Sequence, residues 1–490
     1  MTTMNEAPRT LRRLLPALVI ALSVAVLSPG SAQLASGGVS ERLSTLVAEA
    51  ALGEQVSITV ADAITGRRLF EHQPDRVLNP ASNQKLVTAA AALSQLGAEA
   101  RFRTGLYGRT EGDAVVGGLY LRGFGDPSLR QADLVELARD LHRRGIRRVD
   151  EIVVDATYFD DQILPPAFEQ QPGETARFRA PTGAVSVDGN AYWLRVRPGD
   201  SVGAPARVEL DGEGYFVVDN RIATTDGGAP NVVADQRADG ARMRLGLRGS
   251  IALGSAQLSY QRRIENPLPW SGHLLRDALV DVGIRVGGGV RLAASSSDAP
   301  LLASHQSRPL AEIVTALGKQ SDNFVAEMLF RILGAERHRP GRVEDSVAAV
   351  RAFLDEAQIP IGDARIVNGS GLFQGNLISS AQLTAVLVHA YRSPSLRGEY
   401  LAHLAIAGVD GTLEGRLRDL PAPRIVRAKT GTLNDAIALS GYVLGPTPDR
   451  VYAFSVLING ATGRHGQARA LADGVARTLA EELWPRATSR

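Results

Sequence analysis

Strand-like segments at both ends of the chain, with helical segments between them, constrain this sequence most. Near the start, Gln55–Asp62 and Arg68–Gln73 flank Ala63-Ile64-Thr65-Gly66-Arg67 and read as a hairpin. Near the end, Arg424–Thr432, Ala436–Leu444 and Arg450–Asn459 read as three successive strands, parted by loops containing Asn434-Asp435 and Gly445-Pro446. Helical patterns over Glu41–Leu52 and Gly466–Leu483 bracket these strands, and the arrangement points to one antiparallel sheet built from both ends. Helices predicted over Leu310–Leu317, Phe324–Leu333 and Val343–Ala357 would cover its other face. The expected class is α/β of the α+β kind, an antiparallel sheet with a helical subdomain.

Between residues 104 and 296 the texture changes. Short alternating strands such as Gly117–Arg122, Glu151–Asp155 and Tyr192–Arg197 stand among many glycines, with helices at Gln131–Arg144 and Ser271–Val282. This region reads as a β-rich insertion, one domain or two nested ones, and Ser297–Leu301 as the return point. Residues 33–103 and 297–490 would then form the main domain.

The first 32 residues read as a leader. Arg9, Arg12 and Arg13 precede an apolar run from Leu14 to Leu27, followed by Pro29-Gly30-Ser31-Ala32. The run is shorter than the roughly 20 apolar residues that span a bilayer, so export with cleavage after Ala32 is expected over retention as an anchor. No second run of membrane length follows. The chain has no cysteine, which excludes disulfides, thiolate metal sites, a cysteine nucleophile and a lipidated N-terminal cysteine. A net charge of +2 without a long basic tract gives no footprint for nucleic acid.

Three short motifs carry the chemistry. In Ser82-Asn83-Gln84-Lys85, at the start of a helix predicted over Asn83–Leu96, positions i and i+3 share a face, so hydroxyl and amine can meet. A lysine takes the proton of a hydroxyl only where burial or a nearby cation lowers its pKa. Ser321-Asp322-Asn323 lies between two predicted helices, where Ser321 could relay a proton and Asn323 hold a substrate amide. In the strand-borne Lys429-Thr430-Gly431-Thr432, Lys429 supplies positive charge for a substrate carboxylate and Thr430 lies beside it. Gly431 would let a substrate backbone lie against the strand, and the Thr432 N–H would join that of Ser82 as an oxyanion donor. Each motif alone has an ordinary explanation: a capping serine, a helix-start triplet, a strand end with a turn glycine. Their order, each on the expected element, matches the set used by penicillin-binding proteins and class A β-lactamases.

With its supporting stretches Gly123-Phe124-Gly125-Asp126-Pro127, Asn368-Gly369-Ser370-Gly371-Leu372 and Gly408-Val409-Asp410-Gly411-Thr412-Leu413, the chain resembles the class C low-molecular-mass penicillin-binding proteins, which are D-alanyl-D-alanine carboxypeptidases and endopeptidases. The long interval from Ser82 to Ser321 is also like that class. The resemblance implies a penicillin-binding transpeptidase/β-lactamase-like domain and peptidoglycan stem peptides as substrate. Ser82 would be the nucleophile with Lys85, Ser321, Asn323 and Lys429, and β-lactams would acylate the same serine. It implies no metal or organic cofactor, and the eight singly scattered histidines, without an H-E-x-x-H pair, offer no zinc-peptidase site. It also fits a periplasmic or loosely wall-associated enzyme.

The sequence departs from that pattern after Gly371-Leu372. Many relatives carry Ser-Arg there, the arginine binding a side-chain carboxylate of the stem; here the residues are Phe373 and Gln374. An uncharged Gln374 cannot form the bidentate pair of an arginine, so altered substrate selectivity is expected. Asn368 also stands where relatives often have Asp, and Asn368–Gly371 reads equally well as a turn packed under the site. Two rival readings remain at this stage: a β-lactamase, which needs a carboxylate for the deacylating water (Glu327 and Asp410 being the candidates), and a non-catalytic β-lactam or cell-wall binding scaffold.

Overall fold

The computed structural model describes residues 33–485, so the leader and its cleavage site lie outside the described residues. The two ends of the chain meet in one sheet. Its six strands run in the order Ala405–Ile406, Val426–Leu433, Ala436–Leu444, Val451–Asn459, Val56–Asp62, Arg68–His72, each antiparallel to its neighbours. The seam between the termini pairs Val56 with Ile458 through to Asp62 with Tyr452. The strands Val56–Asp62, Ala436–Leu444 and Val451–Asn459 are buried almost without interruption. Both faces of such strands must be covered, which explains their continuous apolar character.

Two helices, Gln33–Ala50 and His465–Leu483, cover one face. Their Val39, Leu43, Leu471, Val475 and Leu479 pack with Ile58, Val60, Phe454 and Val456. On the other face the helix Gln84–Leu96 passes through the centre of a helical layer. Its Leu86 and Ala89 to Ala92 pack with Val314, Leu317, Met328, Leu329, Phe353 and Leu387. The run of alanines lets neighbouring helices approach closely at interior packing density. Gly97, at φ 83°, ends the helix where a side chain would be strained.

The insertion has a core of its own, containing Leu121, Leu137, Tyr192, Leu245, Trp270 and Leu274. A seven-stranded sheet that includes Arg103–Glu111, Ala114–Gly123 and Ile152–Asp155 carries the helices Gln131–Arg143 and Pro267–Asp281. Between these helices the chain forms two three-stranded sheets. The second helix starts earlier than Ser271 because Asn266 accepts from Leu268 N and a proline follows it at the first helical position. The return also differs from expectation. Leu301–Gln306 is a strand antiparallel to Arg103–Glu111, so the chain leaves this sheet after Gln306, beyond the expected Ser297–Leu301.

Candidate active site

Ser82 sits on a 3₁₀ turn, Ala81–Asn83, that runs directly into the helix Gln84–Leu96. The turn is held in an uncommon conformation: Ala81 has φ 47°, and its N–H donates to Asn79 Oδ1 at 2.9 Å. Ser321 at φ 58° and Phe373 at φ 63° share this left-handed region, which costs non-glycine residues free energy and persists where surrounding contacts over-determine it. Ser82, Ser321, Asn323, Thr432 and Gln374 line one cleft of about 800 Å³.

Lys85 is fully buried, one turn along the helix from Ser82. Its Nζ lies 3.0 Å from Ser82 Oγ and donates to Asn323 Oδ1 at 2.7 Å and to the Ser370 carbonyl at 2.7 Å. Burial lowers Lys85 to about 7, against the opposing pull of Glu327 and Asp322. In the neutral amine two N–H bonds and one lone pair remain. Asn323 Oδ1 and Ser370 O are acceptors only and take both N–H groups. The lone pair is then left for the only partner able to donate, the Ser82 hydroxyl. The three contacts thus fix the direction in which a proton can move.

A second lysine approaches from the sheet. Lys429, also fully buried, donates to Ser321 Oγ at 2.8 Å and to the Thr430 carbonyl at 2.9 Å. Burial, reinforced by the charge of Lys85, holds it well below the usual lysine range. Thr430 Oγ1 donates to Thr412 Oγ1 at 2.8 Å, tying the strand to the turn at Gly411–Leu413. The hairpin closes at the pair Leu433 and Ala436, and the strand Ala405–Ile406 pairs with the far edge only at Ala428 and Arg427. Antiparallel alternation therefore turns the backbone groups of Thr430 and Thr432 away from the Ala436–Leu444 strand, toward an edge with no strand beside it. Thr432 is exposed in the cleft.

Gly431 also sets the spacing between the sheet and the turn that carries Ser82. A Cβ there would lie 2.9 Å from Pro80 O and 3.0 Å from Ala81 Cβ. The space of the missing side chain is filled by the segment carrying Ser82. Gln374 lines the cleft, with its backbone tied to Gln170 of the insertion: its N–H donates to Gln170 Oε1 at 3.1 Å and its carbonyl accepts from Gln170 Nε2 at 2.6 Å.

Other residues complete this geometry through contacts that residue identity alone does not reveal. Asn83 faces inward; oriented to satisfy both ends of its amide, it donates to the Lys429 carbonyl at 2.8 Å and accepts from Ser440 Oγ at 2.7 Å. Ser370 gives its carbonyl to Lys85, while its Oγ accepts from Leu372 N at 3.2 Å. The fully buried Glu327 holds that turn, accepting from Gly369 N at 3.1 Å and Ser370 N at 2.8 Å, and burial pushes its carboxyl up. Gly371 has no alternative, since a Cβ would lie 1.8 Å from Ala81 O. The insertion reaches the site as well. Arg177 pairs with Asp322 at 2.7 Å, Asn323 Nδ2 donates to the Phe178 carbonyl at 3.0 Å, and the half-exposed Phe178 ring borders the cleft.

Neither carboxylate named for the β-lactamase reading lines the cleft. Glu327 is committed to the turn beneath it, and Asp410 accepts from Lys319 Nζ at 2.6 Å and Ile406 N at 2.7 Å. The carboxylate that does line it is Asp435, on the hairpin turn, accepting from Thr462 Oγ1 at 3.1 Å.

A hydroxyl at a helix start, backed by a buried lysine and faced by Ser-Asp-Asn and Lys-Thr-Gly across a sheet edge, defines the class of penicillin-recognising serine acyltransferases. A sequence model of the D-Ala-D-Ala carboxypeptidase 3 (S13) family matches residues 39–481. A D-alanyl-D-alanine carboxypeptidase of Actinomadura sp. (strain R39) is 33% identical over 96% of this chain and 89% of its own. The crystal structure of penicillin binding protein 4 from Haemophilus influenzae matches with a TM-score of 0.77 at 26% identity, covering 90% of this chain and 99% of that one. The same protein complexed with a β-lactam matches with a TM-score of 0.73 at 25% identity over the same shares. The chain belongs to the D-Ala-D-Ala carboxypeptidase 3 (S13) family, and with it to the serine-type D-Ala-D-Ala carboxypeptidases. Among the described residues, no helix is long and apolar enough to cross a membrane.

Proposed function

We propose that Ser82 is the nucleophile of a D,D-peptidase acting on peptidoglycan stem peptides, with Lys85 as its general base. The observation that carries this reading is the set of contacts at Lys85 Nζ, which leaves its lone pair for the Ser82 hydroxyl. Ser82 Oγ attacks the carbonyl between two D-residues while its proton passes to Lys85. The backbone N–H groups of Ser82 and Thr432 stabilise the oxyanion. As the C–N bond breaks, Ser321 relays the proton from Lys85 to the leaving amine, and Asn323 holds the substrate amide. Water then attacks the ester, again giving its proton to Lys85, which passes it to the departing Ser82 oxygen, so the acid product leaves a free serine and a neutral lysine.

Lys429 anchors the substrate carboxylate, which restores its charge on binding. Removal of terminal D-alanine and cleavage of D-alanine cross-links follow from the same steps; Gln374 in place of an arginine favours stems without a charged group at that point. β-Lactams present the strained equivalent of the scissile amide and acylate Ser82. With Glu327 and Asp410 occupied elsewhere and the cleft-lining Asp435 tied to Thr462 Oγ1, that adduct is expected to be long-lived. A periplasmic or exported location, with the leader removed after Ala32, fits a substrate outside the membrane. We take residues 33–103 and 297–490 as the catalytic domain and the region between as the insertion; the pairing of Leu301–Gln306 with Arg103–Glu111 favours moving the second boundary past Gln306.

Ser82→Ala is expected to abolish both labelling by a fluorescent penicillin and release of D-alanine. Labelling that persists in this variant would remove Ser82 from the role. Mass analysis of digested sacculi separates shortened stems from split cross-links.

A further inference from the structure

We infer that a second cleft, back to back with the catalytic one across the Ser321–Asn323 loop, binds the saccharide chain from which the stem peptides hang. This rests on the reading of Ser82 given above. The cleft measures about 830 Å³, as large as the catalytic one. Consecutive residues separate the two: Ser321 and Asn323 line the catalytic cleft, and Asp322 between them lines the other. One wall comes from the insertion, through the start of Gln131–Arg143 and the cross-strand partners Trp193 and Gln261; the opposite wall is the helix Leu310–Lys319.

The chemistry of these walls selects a neutral, hydroxyl-rich ligand. Trp193 is 39% exposed, leaving an indole surface open to stack on a sugar ring. The charges around it are largely matched within the protein: Arg177 with Asp322, Arg195 with Asp211 at 2.9 Å, and Arg308 with Glu312 at 4.0 Å. Such a surface offers no net field to a polyanion. The amides of Gln131, Gln261 and Gln320 offer donors and acceptors together, as sugar hydroxyl and acetamido groups require. A polymer with its peptide in one cleft and its sugar chain in the next would touch both sides of the same loop.

The test uses the full mature protein, acylated by penicillin so that the catalytic cleft is closed, and a peptide-free oligosaccharide of alternating N-acetylglucosamine and N-acetylmuramic acid whose lactyl carboxylates are capped as simple amides, which keeps it neutral. Calorimetry should detect binding to the wild type, and Trp193→Ala and Gln261→Ala should lose it. On intact sacculi the same variants should raise KM about five- to tenfold, with penicillin labelling and hydrolysis of a soluble D-Ala-D-Ala peptide unchanged. Unaltered KM on sacculi in both variants overturns the inference. So does binding of a sugar-free cross-linked peptide dimer where the oligosaccharide fails. Absence of penicillin labelling in the wild type would instead strike the Ser82 reading.

Discussion

At the residue scale the site turns on a lysine whose charged form is disfavoured by burial. Lys85 is fully buried, so its ammonium form is poorly solvated, and its two fixed acceptors leave the lone pair of the neutral amine for Ser82. Because burial depresses Lys85 to about 7, the competent base is the deprotonated form, present above that pH and lost below it. The second-order rate of penicillin acylation should therefore rise with pH by about tenfold per unit below the transition and level off above it. Stopped-flow labelling across the neutral range checks this; a profile flat through pH 7 would remove Lys85 as the base. The residue types were readable in the sequence because Ser82 and Lys85 are one turn apart. The Ser370 carbonyl was not, since a backbone acceptor leaves no mark on residue identity.

At the scale of elements, the sheet and helices were legible because local alternation and apolar runs report burial. The strand and helix expectations at both ends agree with Val56–Asp62, Val426–Leu433, Ala436–Leu444, Val451–Asn459 and His465–Leu483. Which neighbour fills the space beside a strand residue is a tertiary matter, and nothing local at Gly431 announces it. Its vacant side-chain position receives Pro80 and Ala81, so sheet and nucleophile turn are spaced by one missing methyl. Gly431→Ala should push the Ser82 turn outward by a few tenths of an ångström. A displacement of reacting groups this small costs catalysis far more than stability. The acylation rate is expected to fall about tenfold or more, while the thermal midpoint changes little. Loss of both together in a melting and labelling series would mean that Gly431 serves the fold rather than the site.

At the scale of the whole molecule, the insertion and the catalytic region meet at the Ser-Asp-Asn loop. Nothing local in Glu174–Arg179 announces that it reaches residues far along the chain, so the sequence left the insertion without a role. Arg177 grips Asp322, whose other oxygen accepts from Val325 N and caps the helix Asn323–Arg337. The Phe178 carbonyl holds the amide of Asn323, whose oxygen in turn accepts from Lys85. The chain of contacts therefore runs from the insertion to Lys85, the proposed general base. Arg177 is partly exposed, so removing it should cost under about 1 kcal/mol of stability. Its effect on position is larger, because the left-handed backbone at Ser321 needs its neighbours to hold it. Arg177→Ala should lower the acylation rate about tenfold at a nearly unchanged melting temperature, and Arg177→Lys should recover part of it, keeping the charge without the fork. Equal acylation rates in wild type and Arg177→Ala would show that the loop holds its shape without the Arg177 contact.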